Sequence, residues 1–216
     1  MARKLIYVPM IHNPFAGEMG ESARKLVEIK TAQLDPSLKQ HFIQEQANYW
    51  NQVDEYLATM PRIDKIYHDG ISDFNLESFI VLFDSEILKE SGNDNAVRRL
   101  RKRGSRLMPT EANELFLKSV SDDILARDIY IADTIGETLQ DNETGVLFMG
   151  FEHNVQREIR ERYPDINVYN VPVGLSNLAL AYKTLNLQLF PGDKDSIEEL
   201  VQSALRRLET TPPIIV

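Results

Sequence analysis

The stretch Thr144-Gly145-Val146-Leu147-Phe148-Met149-Gly150-Phe151-Glu152-His153 limits the fold more than any other part of the chain. Its apolar residues are consecutive rather than alternating, so a strand here must be buried on both faces. That is the condition of a central strand in a parallel sheet. Glu152 and His153 follow the break at Gly150 and fall at the strand's carboxyl end, the edge where open α/β sheets bind ligands. A helix predicted over 154–162 comes next and puts His153 close to a helix N-terminus. The positive end of the dipole disfavours imidazolium there, which leaves a neutral ring able to serve as ligand or base.

The plan occurs twice. Lys4-Leu5-Ile6-Tyr7-Val8-Pro9-Met10-Ile11-His12 is a second apolar run, ends on His12 and breaks at Asn13-Pro14. Of the four histidines, two therefore end buried strands, and a third, His68, lies in the short run Ile66-Tyr67-His68-Asp69-Gly70. Between these runs the spacing predicts helices. Asp35-Pro36 opens one that extends to about Met60, and Leu76 opens another. Thr110 caps a helical region that reaches about Gln140 and contains Gly136. Ser196-Ile197-Glu198-Glu199 reads as a capping box for a final helix. Arg106-Leu107-Met108 reads as a short strand. Residues 166–173 read as the last strand, at an edge because of Pro172. Strands alternating with helices give an α/β fold, an open and mostly parallel sheet flanked by helices with a helical cap. The expectation is a single α/β domain over 1–216, with helical elaborations at about 21–60 and 75–103.

The chain has no cysteine, so disulfides, thiolate metal sites and cysteine catalysis are excluded. A metal site would have to use His, carboxylate and water. A net charge of −9 argues against general affinity for nucleic acid or anionic membranes. No apolar stretch is long enough for a membrane span, and no signal-peptide pattern opens the chain, so a cytoplasmic protein is expected. There is no Gly-x-Gly-x-x-Gly, no P-loop and no Gly-x-Ser-x-Gly elbow.

His12, Asp69 and His153 would converge at three parallel strand ends, as the ligands of a divalent ion must. The plainer alternative is that strand-end histidines are hydrogen-bonded structural residues. His68 and Asp69 point to opposite sides of a regular strand, and Asp69, next to the Gly70 turn, is the better candidate. Arg127 would either hold an anionic substrate group or orient a carboxylate through a bidentate pair. An ordinary surface ion pair is the other reading of Arg127-Asp128. The basic run Arg98-Arg99-Leu100-Arg101-Lys102-Arg103 has no interleaved aromatic residue, and it reads as a solvated helix end rather than a phosphate-binding stripe.

The order of His12, Asp69, Arg127-Asp128 and Gly150-x-x-His153 resembles the TraB/Tiki group, which is usually placed with ChaN-like and erythromycin-esterase-like proteins. Members carry two Gly-x-x-His motifs, an acid between them and an Arg on a helix before the second motif. Residues 66–70, 103–108 and 144–150 are also similar to small uncharacterised prokaryotic proteins. Here Pro9 stands where the first motif has Gly, and Asp69 where Glu is commoner. The resemblance implies an open α/β fold with its site at the strand carboxyl ends. For Tiki-type members it also implies metal-dependent hydrolysis.

The resulting expectation is a metal-dependent hydrolase acting on a small-molecule or peptide substrate. His12, Asp69 and His153 would bind Mn, Fe or Zn, Glu152 would be general base, and Arg127 would hold substrate charge. The alternative is a non-enzymatic ligand-binding or self-associating protein on the same fold. Phe42, Tyr49, Trp50, Val53, Tyr56 and Leu57 on one helix, and the apolar residues of 76–88, raise the expectation of a homo-oligomer. The same residues would equally be satisfied by packing within one chain.

Overall fold

The computed structural model describes residues 2–11, 34–85, 92–112 and 124–210. The helix expected from about residue 21, and His12, lie outside these residues. The strands are β1 (Arg3–Met10), β2 (Lys65–His68), β3 (Arg106–Met108), β4 (Thr144–Gly150) and β5 (Ile166–Asn170). The α-helices are α1 (Pro36–Thr59), α2 (Leu76–Asp84), α3 (Gly92–Lys102), α4 (Ile124–Thr138), α5 (Val155–Arg162), α6 (Ser176–Leu189) and α7 (Lys194–Thr210).

The five strands form one sheet in the order β3-β2-β4-β1-β5, and every pairing is parallel. The two longest apolar runs, β4 and β1, take two of the three inner positions, and β2 takes the third. Val146 to Met149 and Leu5 to Val8 are buried without a break, because neighbouring strands and packed helices remove water from both faces. The weaker runs β3 and β5 are the edges. Register then aligns the strand ends. Met10 pairs with Gly150, and His68 pairs with Phe148. The next residue, Asp69, donates its N–H to the Phe148 carbonyl at 2.9 Å. The carboxyl ends of β1 and β4 therefore finish level, and β2, which ends opposite Phe148, brings Asp69 up beside them.

The chain divides into two compact units. One contains residues 1–10, 53–172 and 211–216 and holds the sheet; the other contains residues 11–52 and 173–210. In the second unit Phe42 approaches the Tyr182 ring at 6.5 Å, Lys183 pairs with Glu198, and Leu185, Leu189, Val201 and Ala204 are buried. In α1, Phe42, Tyr49, Trp50, Val53 and Leu57 are all buried within the single chain. Packing within one chain accounts for that aromatic face.

Two expected helix starts differ. Residues 110–112 are not helical, and the Thr110 hydroxyl donates to the His68 and Ile71 carbonyls, tying β3 to β2 instead of accepting from a helix N–H. The last helix begins at Lys194, directly after a 3₁₀ turn at Pro191–Asp193. Ser196 is thus inside it, and the 3₁₀ turn supplies the entry that a cap would otherwise provide. Gly136 has a packing reason: a Cβ there would collide with the Tyr163 ring. That ring is fixed by a 2.9 Å hydrogen bond from its hydroxyl to Asp133 and by the Arg3 guanidinium above it.

Candidate functional site

Four elements of the sheet-bearing unit meet at the carboxyl ends of β2 and β4. Asp69 follows β2, and its Oδ2 accepts the Gly150 N–H at 3.3 Å. Glu152 and His153 sit in the turn after β4, which is closed by a 3.1 Å bond from the His153 N–H to the Gly150 carbonyl. The turn folds Glu152 back over Gly150, so a Cβ at position 150 would lie 2.5 Å from Glu152 Oε1. Glycine leaves the carboxylate room in this position, and a larger residue would push the end of Glu152 aside. One ligand atom each from Asp69, Glu152 and His153 lies within 4.8 Å of the others.

Helix α4 supplies the supports. Its buried residues Asp128, Ile131, Ala132, Ile135 and Gly136 follow the i, i+3, i+4, i+7 spacing of a core stripe, with a carboxylate at the stripe's first position. Asp128 Oδ1 accepts from His153 Nδ1 at 2.6 Å, and its Oδ2 accepts from the Asn154 N–H at the start of α5 at 2.8 Å. A carboxylate can only accept, so Nδ1 carries the proton and Nε2 presents its lone pair. A carboxylate at a helix N-terminus is itself favoured by the dipole.

The neighbouring Arg127 faces another way. Its Nε and Nη2 donate to the two carboxylate oxygens of Glu111 at 3.1 and 2.5 Å, and Nη2 also donates to Asp69 Oδ1 at 3.2 Å. This is the bidentate, carboxylate-orienting role. With its side chain only 14% exposed and bonded to two acids, Arg127 has little capacity left for a substrate anion.

Burial opposes charge on His153. The hydrogen bond to Asp128 and the charges of Asp69, Asp128 and Glu152 outweigh it, and the imidazole is held above its ordinary pKa. This reverses the expectation from helix position, because formal negative charges beside the ring exceed the partial charge of a short helix end. Burial also pushes the Glu111 carboxyl above the usual carboxylate range. Arg127 pulls it back only in part, and the nearby Asp69 adds to the rise. Arg127 is pushed up: burial works against its charge, but Glu111, Asp69 and Glu152 more than compensate.

The structure thus brings together Asp69, Glu152, His153 and Arg127, four of the residues expected from sequence. His12 lies outside the described residues. His68 is turned away: its Nδ1 bonds the Asp69 carbonyl at 2.8 Å, its Nε2 meets Asn93 at 3.2 Å, and Phe83 and Phe148 flank the ring. The sequence names Asp128 only as the neighbour of Arg127, with no role at the site, and does not point to Glu111. Asp128 left a signal, a charged residue on the apolar stripe of α4. Glu111 left none, because its position depends on a loop bridge to Ser72.

Counting the formal charges of Asp69, Glu111, Asp128 and Glu152 against Arg127, with His153 neutral as a ligand must be, the cluster is short of three positive charges. An imidazole nitrogen with two carboxylates is a donor set that suits Mn, Fe or Zn. Fold and site together define an all-parallel α/β protein with an acid-rich His–carboxylate cluster at the strand carboxyl ends. No protein family, curated protein or solved structure matches the chain.

Proposed function

We propose that this protein is a metal-dependent hydrolase of the TraB/Tiki type, with Asp69, Glu152 and His153 as ligands of one divalent ion. The observation that carries the reading is the convergence of those three donors within 4.8 Å in a cluster that is short of positive charge. Such an ion supplies Lewis acidity and makes water a usable nucleophile at neutral pH. The chain's own residues do the rest. Asp128 holds the His153 tautomer so that Nε2 is the ligating atom. Arg127 and Glu111 hold the Asp69 carboxylate in place. Glu152, expected as a general base, belongs to the donor set in this reading. The surplus of acid around the ion, with Arg127 already engaged, disfavours anionic substrates. A neutral ester or amide of a small molecule or peptide fits best.

Calorimetric titration with Mn²⁺, Zn²⁺ and Fe²⁺ tests the site, and chromogenic ester and amide substrates test turnover. Binding that disappears in Asp69→Asn and His153→Ala, with metal-dependent turnover, is expected. Absence of both binding and thermal stabilisation refutes the metal site. Binding without turnover of any neutral substrate favours the second reading, a non-enzymatic metal-dependent binding protein, which the engaged state of Arg127 also accommodates.

A further inference from the structure

The opposite edge of the sheet carries the reverse charge. The amino ends of β2, β3 and β4 border a groove of about 410 Å³ lined by Arg62, Asp64, Arg103, Arg106 and Glu143. Both of its carboxylates are already matched. Asp64 pairs with Arg62 and also accepts the Thr144 N–H at 2.9 Å. Glu143 pairs with the buried Lys65. The remaining two cations are not cancelled. Arg103 donates to the Leu57 and Met60 carbonyls at the end of α1, which are neutral acceptors, so its formal charge persists. Arg106 is exposed, and among the described residues its side chain makes no hydrogen bond or ion pair; it acts on Glu143 only through space. The other three arginines of the basic run are engaged internally. Arg98 donates to the Phe83 carbonyl, Arg99 pairs with Asp54, and Arg101 clasps Asp84 through two bonds.

Arg103 also lines a second cavity, of about 280 Å³, whose wall includes Leu57, Ala58, Ala96 and Leu100 beside the Asp54–Arg99 ion pair. A mostly apolar pocket and a cationic groove thus share Arg103. Their sizes fall around the lower part of the roughly 300–1,000 Å³ range of small-molecule sites. Arginine forks match the oxygens of phosphate geometrically as well as electrically.

We infer that this amino-edge groove binds an organic phosphate, with the phosphate or pyrophosphate group on Arg103 and Arg106 and an apolar body of nucleobase size against Leu57, Ala58 and Leu100. The site is separate from the carboxyl-edge cluster and does not depend on it. A nucleotide-like small molecule suits a chain of net charge −9 better than a nucleic acid, whose backbone would meet that field over many phosphates.

The test is calorimetry on the full chain in EDTA, which keeps divalent ions from the other edge, with inorganic pyrophosphate and ATP as probes. Both should bind, ATP more tightly, and both should weaken as salt is added. Arg106→Glu should cost roughly tenfold or more for both probes, the scale of a lost charged hydrogen bond. Arg106→Gln should cost less in the same direction, and it serves as the variant if the charge reversal fails to fold. Ala58→Trp, which fills the apolar pocket from an exposed helix position, should weaken ATP and leave pyrophosphate unchanged. Asp69→Asn should match the wild type. No heat from either probe at millimolar concentration, or equal binding by the Arg106 variants, overturns the site. ATP no tighter than pyrophosphate overturns the apolar subsite, and a single-stranded oligonucleotide bound more tightly than ATP overturns the small-molecule assignment.

Discussion

Asp128→Asn isolates what the buried acid does for His153. The carboxylate accepts two bonds, at 2.6 Å from His153 Nδ1 and 2.8 Å from the Asn154 N–H. An amide of nearly the same shape can keep the second by presenting its oxygen to Asn154. Its NH₂ then faces Nδ1, which must become an acceptor, and the ring proton moves to Nε2. The lone pair that would meet an ion disappears, although no side chain has changed size. Outer partners of ligating histidines are typically worth about 10- to 100-fold in metal affinity, or roughly 1.4–2.7 kcal/mol at 1.4 kcal/mol per decade. The metal-free protein loses a charge-assisted bond and should be destabilised by about 1.5–3 kcal/mol. Zn²⁺ affinity by chelator competition and stability by urea denaturation give the two numbers separately. If Asp128→Asn binds Zn²⁺ within twofold of wild type while His153→Ala abolishes binding, the tautomer is not set by Asp128 and the reasoning fails.

Gly136→Ala should destabilise the protein despite the roughly 1 kcal/mol gained in helix propensity, because the clash with the anchored Tyr163 ring costs about 1–3 kcal/mol; a rise in urea midpoint would contradict the packing account. Gly150→Ala should leave stability nearly unchanged, since only the end of Glu152 need move, but it should weaken Zn²⁺ binding; unchanged affinity would remove Glu152 from the donor set. Burial opposes the Glu143 charge, but bonds from Lys65 and the Gln140 N–H more than offset it, holding the carboxyl below its ordinary value of 4.5. The stabilisation it gives is therefore present above that value and lost as pH falls through the depressed folded pKa. Glu143→Gln should cost about 1.5–3 kcal/mol at neutral pH, with the difference from wild type closing in acid; a gap that persists in acid would show that the charge is not the cause. Trp50→Glu puts a charge at a side chain that is only 5% exposed and should unfold the chain, at more than about 4 kcal/mol. A folded variant that falls from dimer to monomer in light scattering would instead make α1 an interface.

What local pattern can carry was legible in the chain itself. The unbroken apolar runs of β1 and β4 identified two of the three inner strands, because a segment without polar alternation has no face to offer water. Pro172 marked one edge, while the other, the short 106–108 strand, was not placed by the sequence. Gly150 followed by Glu152-His153 pointed to the carboxyl ends, since strand termination alone determines which residues reach that edge. What tertiary structure decided was pairing. Arg127 and Asp128 are neighbours in sequence, yet helix rotation sends one to Glu111 and Asp69 and the other to His153. Glu111 reaches the site through a loop bridge that leaves no periodic trace. The rise in the His153 pKa followed from the carboxylates of Asp128, Asp69 and Glu152, which more than offset burial, not from the helix beside it. The basic run shows the same division: its composition was plain in sequence, but only the fold engaged its arginines on Asp54, Asp84 and main-chain carbonyls and left Arg106, just beyond the run, without a hydrogen bond or ion pair among the described residues. Electrostatic partnership depends on distances of a few ångströms between residues far apart in the chain, and folding alone sets those distances.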